Sequence, residues 1–401
     1  MNLGGAEAPI GRPGPRAPQT PERASSEWSG VDRRVTTMVA RTPERIVQDM
    51  GERRGRGAKL RAKLEKNRDR NWLLALTTHS LGKFAEKQRL SDLEQTLVSA
   101  FLENGYSEDE LRKLGEASEL LSQDARQAVY PARFARLDVK SSYSFDDLRK
   151  DAPEIVRSTL EMPNLTAVDV GKAHSERTSV RNLPRLDRRT LAEHGAEFLV
   201  TQNPDVQAAP SGFFTIKATQ FRCNDETGAD FFGSDEPSWI FGTLADGATV
   251  TTRSRIFGNV DTGNTRTFNS ADGNIWGANG QAQRFPEGQI GTLIQLWEHD
   301  HGDPEKIRAA VAAAFAGAAG VLAATGVAAW IAAVVAGVGA VVQQLLAFLD
   351  DDLIGEQTFV FHTATLAKQV PNVGNTQTMT RRFTDGDGDY TLTIVTTRTG
   401  N

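Results

Sequence analysis

A run of residues without a single charge, Ala309 to Leu349, constrains the fold of this chain more than any other feature. The pair Asp303-Pro304 precedes the run, and these residue types favour the cap and the first turn of a helix. The run is long enough for two helices, about residues 304–324 and 327–348, that turn at Thr325-Gly326. Neither helix has a polar face for water, so protein, a partner or lipid must cover it.

Lipid is the cover that we expect for this hairpin. Each predicted helix is close to the roughly 20 residues that cross the hydrocarbon core of a bilayer. Its many small residues would let the two helices approach closely, as helix pairs do in membranes. The residues expected to contact lipid are Phe315, Val321, Leu322, Trp330, Ile331, Val334, Val335, Leu345 and Leu346. The alternative is a soluble interaction or assembly protein whose hairpin packs on its own helices or on a partner.

The pattern of apolar residues changes near Ser211, where helical spacing gives way to alternation with period two. Before this point, LSDLEQTLVSAFLENG has apolar residues at helical spacing, and Ser107 with Glu110 forms a capping-box signature. After it, segments such as FFTIKATQF alternate as half-buried strands do, and about eight short strands are expected. The predicted fold class is α+β and multidomain: an N-terminal helical domain, then an antiparallel eight-stranded β-sandwich that carries the apolar helical hairpin.

The chain has 401 residues, which is enough for more than one folded unit. We predict a disordered tail over residues 1–40, a helical domain over 41–130 and a mixed connecting region over 131–210. The sandwich would occupy residues 211–401, with the hairpin inserted at 303–349.

Cysteine content and the first residues bear on the compartment. Cys223 is the single cysteine, so no internal disulfide can form. The first residues, MNLGGAEAPIGRPGPRAPQT, lack the apolar core of a signal peptide. We therefore expect synthesis in the cytoplasm without a signal peptide, followed by association with a membrane. The basic stretch Arg53 to Arg70 is interpreted as a solvated helix face, and no nucleic-acid partner is expected.

Acidic residues cluster at the predicted ends of several strands. One cluster lies in CNDETGADFFGSDEP, a second in WEHDHGD, and the third is the triplet of aspartates that follows the hairpin. If the three segments meet at one end of the sandwich, their negative charge requires a cation. Loops that supply many hard oxygen ligands suit calcium. The alternative is a solvated acidic rim.

The order of these segments resembles the calcium-dependent phospholipid-binding C2 domain. GSDEPSW, WEHD and DDLIGE are similar to three of its short landmarks, and the resemblance covers about residues 213–399. It implies a sandwich whose loops at one end hold calcium between carboxylates and touch phospholipid. Carried over, the metal ligands would be Asp225, Asp235, Glu298, Asp300 and Asp352. Glu298 stands where the family has an aspartate, and the third loop is enlarged to hold the hairpin.

The function that we expect is calcium-dependent membrane binding, followed by insertion of the hairpin into an anionic lipid membrane. A bacterial membrane-targeted effector, a pore-former or a membrane adaptor would have this organisation. The N-terminal helical domain would then serve a homo-oligomer or an assembly partner. No G-x-S-x-G, H-E-x-x-H or Walker pattern stands in a suitable context, so an enzyme is not expected. A metal-dependent hydrolase using Glu298, His299 and Asp300 is a third possibility.

Overall fold

The structure is a computed structural model. It describes residues 57–400, apart from 170–188, 191–193, 195, 203–211, 228–233, 246–247, 278–282, 285–288, 300–303, 326–330, 347–351 and 385–387. The predicted tail over residues 1–40 and the predicted ligand Asp300 therefore lie outside the described residues, as does Trp330.

Six helices of the N-terminal part form one layer, which we call the helical layer. Their bounds are α1 Gly57–Lys66, α2 Trp72–Ala85, α3 Asp92–Glu103, α4 Glu108–Glu119, α5 Gln123–Val129 and α6 Phe145–Leu160. Three of them begin with a capping box, in which a serine side chain and an acidic side chain three residues later satisfy backbone N–H groups. The box predicted from Ser107 and Glu110 is one of the three.

Six strands form sheet A, in the spatial order β1-β2-β10-β9-β4-β5. Their bounds are β1 Leu165–Asp169, β2 Ala196–Gln202, β4 Pro237–Ala245, β5 Ala248–Arg253, β9 Gln289–Glu298 and β10 Asp352–His362. The pairs β1/β2 and β2/β10 are parallel, and the other neighbours are antiparallel. All nine residues of β4 are buried, because other layers cover both faces of this central strand.

Sheet B packs on one face of sheet A. Its strands are β3 Phe213–Asp225, β6 Thr265–Thr267, β7 Asn274–Trp276, β8 Gln283–Arg284, β11 Thr376–Thr384 and β12 Asp389–Gly400, and a short helix, α9 Thr363–Gln369, precedes β11. Aromatic side chains fill the space between the sheets, with the Phe221 ring 5.6 Å from that of Trp239 and 4.9 Å from that of Phe257. This aromatic core also buries Cys223.

The uncharged run forms two helices, α7 Pro304–Thr325 and α8 Ile331–Leu346. They connect β9 to β10, which are hydrogen-bonded neighbours, so the two ends of the hairpin lie side by side. The hairpin lies between the helical layer and the face of sheet A that points away from sheet B. The layers therefore follow in the order helical layer, hairpin, sheet A and sheet B.

These layers confirm the α+β class but differ from the expected eight-stranded sandwich. The described residues form twelve strands in two sheets, where eight antiparallel strands are expected. Residues between the helices and the sandwich add β1 and β2 to the edge of sheet A, and sheet B includes short strands of two or three residues, β6, β7 and β8. The region predicted to connect two domains thus supplies α6 and part of a sheet. One apolar core unites the helical layer, the hairpin and sheet A, and residues 40–401 form one compact unit.

Candidate functional site

The structure brings together most of the segments that carry the predicted metal ligands. Glu298, at the end of β9, pairs with Pro237 at the start of β4 on one side and with Asp352 at the start of β10 on the other. Asp235 lies two residues before Pro237 and forms an isolated bridge with Val260. The acidic segments therefore meet at one end of sheet A.

Two of the described carboxylates at this end, those of Asp235 and Glu298, accept hydrogen bonds from protein donors. Asp235 is buried, and its two oxygens accept hydrogen bonds from the Thr227 backbone N (2.9 Å) and hydroxyl (2.7 Å), and from the Tyr390 hydroxyl. Burial, together with the neighbouring Asp235 carboxylate, raises the pKa of Tyr390, so this phenol remains a donor. Both oxygens of Glu298 lie 3.1 Å from the Glu236 backbone N. Asp225 is exposed at the end of β3.

The described carboxylates of Asp235 and Glu298 are occupied by hydrogen bonds within the protein. Calcium takes six to eight oxygen ligands, whereas both oxygens of Asp235 already accept hydrogen bonds within the fold. Within the part of the chain that the structure describes, no three His, Cys, Asp or Glu side chains are placed to hold a metal ion together. The predicted calcium dependence stays a prediction.

The residues predicted to contact lipid are instead covered by protein where the structure describes their side chains. Phe315, Val321, Ile331, Val334 and Val335 are at most 2% exposed, and Leu322 is partly buried against the same core. Leu345 and Leu346 lie in the last turn of α8. The hairpin in this structure is therefore an inner layer of the protein.

Sheet A receives the hairpin at two glycines. A Cβ at Gly242 of β4 would lie 2.4 Å from Cε2 of Phe315, so this glycine leaves the space that the phenyl ring fills. A Cβ at Gly291 of β9 would lie 2.4 Å from a methyl of Val335 and 2.7 Å from a methyl of Ile331. Large side chains of the hairpin thus fill gaps in the sheet, which gives this contact the density of a protein interior.

On the opposite face, small residues of the hairpin meet the helical layer. A Cβ at Gly320 of α7 would lie 3.8 Å from Cβ of Thr96 in α3, and one at Gly317 would lie 3.6 Å from Cβ of Ala100. The helices α3 and α7 therefore pack backbone close to backbone, as small residues allow. This closeness makes the contact suitable for an engineered disulfide.

Polar contacts hold the two ends of the hairpin. At the base, Arg253 of β5 donates to Glu305 in the first turn of α7, at 2.8 Å. Near the turn, the Arg149 guanidinium of α6 donates to the Ala324 carbonyl at 2.5 Å. These contacts join both ends of α7 to charged groups of the surrounding layers.

A buried pair of charges accompanies the hairpin. Arg70 is 1% exposed and Glu356 of β10 is 2% exposed. The Glu356 carboxylate accepts a hydrogen bond from Gln295 Nε2 at 2.7 Å. A Cβ at Gly339 of α8 would lie 2.6 Å from this carboxylate, so the glycine leaves room for it. Burial lowers the pKa of Arg70, while the charge of Glu356 acts in the opposite direction. The sequence interpretation missed this pair because Arg70 belongs to a basic stretch that was interpreted as a solvated helix face.

A second buried charge cluster lies inside the helical layer. Glu94 accepts from Lys83 Nζ (2.9 Å) and from the backbone N–H groups of Ser91 (2.7 Å) and Tyr143 (3.0 Å), and His79 Nε2 lies 3.2 Å away. Burial alone would raise the pKa of Glu94, but these hydrogen bonds lower it to about 2. The cluster ties α2, α3 and the segment before α6 together.

Among the described residues, one helix is long and apolar enough to cross a membrane. It is the segment Glu305–Ala324 of α7, which has a mean hydropathy of 1.8. Half of this apolar stretch is buried in the protein. The apolar core of α8, Ala333–Val342, is shorter. Core helices of soluble proteins have the same composition, so length and composition do not decide between lipid and protein as the cover.

Comparisons with known proteins leave the family open. No protein-family model and no curated protein matches the chain. A structure of human GIVD cytosolic phospholipase A2 matches at 11% identity and a TM-score of 0.24, over 49% of this chain and 17% of that chain. A C2 domain of plant extended synaptotagmin 1 matches at 8% identity and a TM-score of 0.24, over 48% of this chain and 98% of that domain. Likenesses at this TM-score assign neither a family nor an activity, and the resemblance to C2 domains stays a prediction.

Proposed function

We propose that this chain is a membrane-active protein that keeps its apolar hairpin covered in the folded state and releases it to lipid. The observation that carries the proposal is the hairpin itself. From Ala309 to Leu349 it has no charged residue, and two separate parts of the chain, sheet A and the helical layer, cover its opposite faces. If the helical layer moves away, the uncovered helices have no polar face for water, and lipid is the remaining cover.

The connections of the hairpin are compatible with such a release. Both ends continue into neighbouring strands of sheet A, as the pairing of Glu298 with Asp352 shows. The hairpin can therefore swing away from the sheet without threading through another segment. Calcium is not part of the proposal, since the carboxylates of Asp235 and Glu298 already accept hydrogen bonds within the fold, and no catalytic role is proposed.

Burial of the hairpin favours a second candidate, the soluble interaction or assembly protein of the sequence analysis. In that case the hairpin is a permanent spacer between the helical layer and sheet A, and it never leaves. The continuous core that the three layers share supports this candidate. The two candidates differ in one respect that can be measured, namely whether lipid binding requires the hairpin to move.

A disulfide across the contact between α3 and α7 tests this difference. A Cβ at Gly320 would lie 3.8 Å from Cβ of Thr96. This separation is close to the mean of about 3.8 Å found in disulfides. The double variant Thr96→Cys/Gly320→Cys would be mixed with vesicles of phosphatidylcholine and phosphatidylglycerol, at pH 7 and at pH 5, in its oxidised and its reduced form. Thr96→Cys alone, which cannot form the bridge and leaves Gly320 in place, is the matched control.

We expect the reduced double variant and Thr96→Cys alone to float with the vesicles, and the oxidised double variant to remain in solution. Equal flotation of the oxidised and reduced forms would show that lipid binding does not need the hairpin to move. If the wild-type protein fails to float under all these conditions, the membrane proposal is wrong and the soluble candidate stands.

A further inference from the structure

Two side chains of the helical layer donate hydrogen bonds to the hairpin on either side of its turn. Arg149 of α6 donates to the carbonyl of Ala324, in the last turn of α7. Trp72, the first residue of α2, donates from Nε1 to the carbonyl of Ala333, in the first turn of α8, at 3.2 Å. Because both acceptors flank the turn, the two donors grip the end of the hairpin that lies far from the strands β9 and β10. We call this pair of contacts the tip clasp.

The contact of Arg149 suits a reversible fastening. The last four carbonyls of a helix have no partner within it, and a cation there also interacts favourably with the helix dipole. The second nitrogen of the guanidinium lies 2.5 Å from the Asp146 carboxylate of the same helix, which orients the side chain toward α7. The Arg149 side chain is 46% exposed, so its removal leaves no buried charge.

The contact of Trp72 is fully buried. The residue is 0% exposed, and a Cβ at Gly337, one turn along α8 from Ala333, would lie 3.3 Å from its Nε1. The indole N–H thus reaches a main-chain carbonyl of α8 because no side chain intervenes at Gly337. This donor fixes the start of α8 to α2.

The base of the hairpin is held differently from its tip. The chain enters α7 from β9 and leaves α8 into β10, and these strands are central members of sheet A. If the hairpin rotates about its fixed base, its tip is displaced furthest. Contacts at the tip must therefore break first when the hairpin moves.

We infer that the tip clasp controls the opening of the hairpin, and that opening begins at the tip while the base and the two sheets stay folded. The inference rests on the proposed function in one respect, namely that the hairpin opens in order to reach lipid. The opening itself is a property of the protein in solution and can be measured without lipid.

Native-state thiol labelling measures the opening at chosen positions. Val321 lies near the tip and Val311 near the base of α7, and both are fully buried. Val321→Cys and Val311→Cys would be made separately and labelled slowly under native conditions. The native thiol of Cys223, buried between the two sheets, reports opening of the sandwich in the same sample. Each variant would be compared with and without Arg149→Ala.

We expect Arg149→Ala to accelerate labelling at position 321 by at least roughly tenfold, since a hydrogen bond from a charged group and an interaction with the helix dipole are lost together, although water weakens both at a side chain that is half exposed. Labelling at position 311 should accelerate less, and labelling of Cys223 should not change. Arg157→Ala is the matched control. Arg157 is an exposed arginine of the same helix that pairs with Glu154 and Glu161, and it should change none of the three rates.

The inference is overturned if Arg149→Ala accelerates all three thiols equally, because the side chain would then contribute to overall stability alone. It is also overturned if no rate changes. Trp72→Phe, which keeps an aromatic ring but removes the donor, should repeat the order of the rates with the tip fastest. Vesicle binding that persists while Arg149→Ala leaves the labelling unchanged would refute the tip clasp and leave the proposed function standing.

Discussion

Replacing Glu94 by glutamine tests how much the buried charge cluster stabilises the helical layer. In the folded protein the pKa of Glu94 is lowered from an ordinary value of 4.5 to about 2. This difference corresponds to about 3 kcal/mol of folding free energy at neutral pH, at ~1.4 kcal/mol for each pH unit. Glutamine resembles the protonated acid in shape and lacks its charge, so Glu94→Gln should lower the free energy of unfolding by about this amount at pH 7.

The pH dependence follows from the direction of the pKa change. Because the folded-state pKa lies below the unfolded-state value, the stabilisation by the Glu94 carboxylate is complete above about pH 4.5 and is lost as the pH falls toward 2. The difference in unfolding free energy between wild type and Glu94→Gln should therefore be constant from pH 7 to about pH 5.5 and should shrink below about pH 4.5. Urea denaturation at closely spaced pH values, followed by circular dichroism, measures this difference.

Glu110 offers a matched control for the same substitution. It occupies the same capping-box position in α4 as Glu94 does in α3, but it is exposed and has no buried lysine beside it. Glu110→Gln should therefore cost only what a helix cap is worth, about 1 kcal/mol or less. Equal costs for the two substitutions, or a Glu94→Gln effect that does not change with pH, would refute the assignment of the stabilisation to the buried charges.

Three further substitutions test the covered hairpin and the end of the sheet. Gly242→Ala should lower the free energy of unfolding by about 1–3 kcal/mol, because its methyl overlaps the Phe315 ring, and Phe315→Leu in the same chain should restore part of the loss in a thermal melt. Asp235→Asn should lower the melting temperature equally in calcium and in chelator, since its carboxylate accepts hydrogen bonds within the fold, and a loss seen in calcium alone would revive the metal site. Glu356→Leu alone should lower the free energy of unfolding by about 3–5 kcal/mol, because it leaves the charge of Arg70 buried without its counter-charge. The double variant Glu356→Leu/Arg70→Met should recover most of this loss. Additive losses in urea denaturation would show that the two charges do not interact.

Local features of this fold could be predicted from the sequence because their causes are local. The hairpin follows from the absence of charge between Ala309 and Leu349, since an apolar run of this length favours helices that need a cover. The capping box at Ser107 follows from spacing alone. The strand β3 follows from the alternation of apolar and polar residues in FFTIKATQF.

The cover of the hairpin could not be predicted, because it depends on contacts between distant segments. A helix without a polar face requires a cover but does not specify one, and here α3 supplies it from about two hundred residues away. The role of Asp235 was hidden in the same way, since its partner Tyr390 is 155 residues later in the chain. Acidic side chains gathered at strand ends suggested a cation. The most buried of those described, Asp235, instead accepts hydrogen bonds from a tyrosine and a threonine.

The helical layer precedes the hairpin in the chain, and this order matters while the protein is being made. Residues 57–160 leave the ribosome before α7 begins at Pro304, a delay of roughly 7–30 s at 5–20 residues per second. The helices α2, α3 and α4 contact one another, so they can gather before the apolar helices emerge. The helical layer would then offer an apolar surface on which the hairpin can pack as it is synthesised. A circular permutant that places residues 57–160 after the hairpin would expose those helices on the ribosome, and more of its product should aggregate at the same expression level.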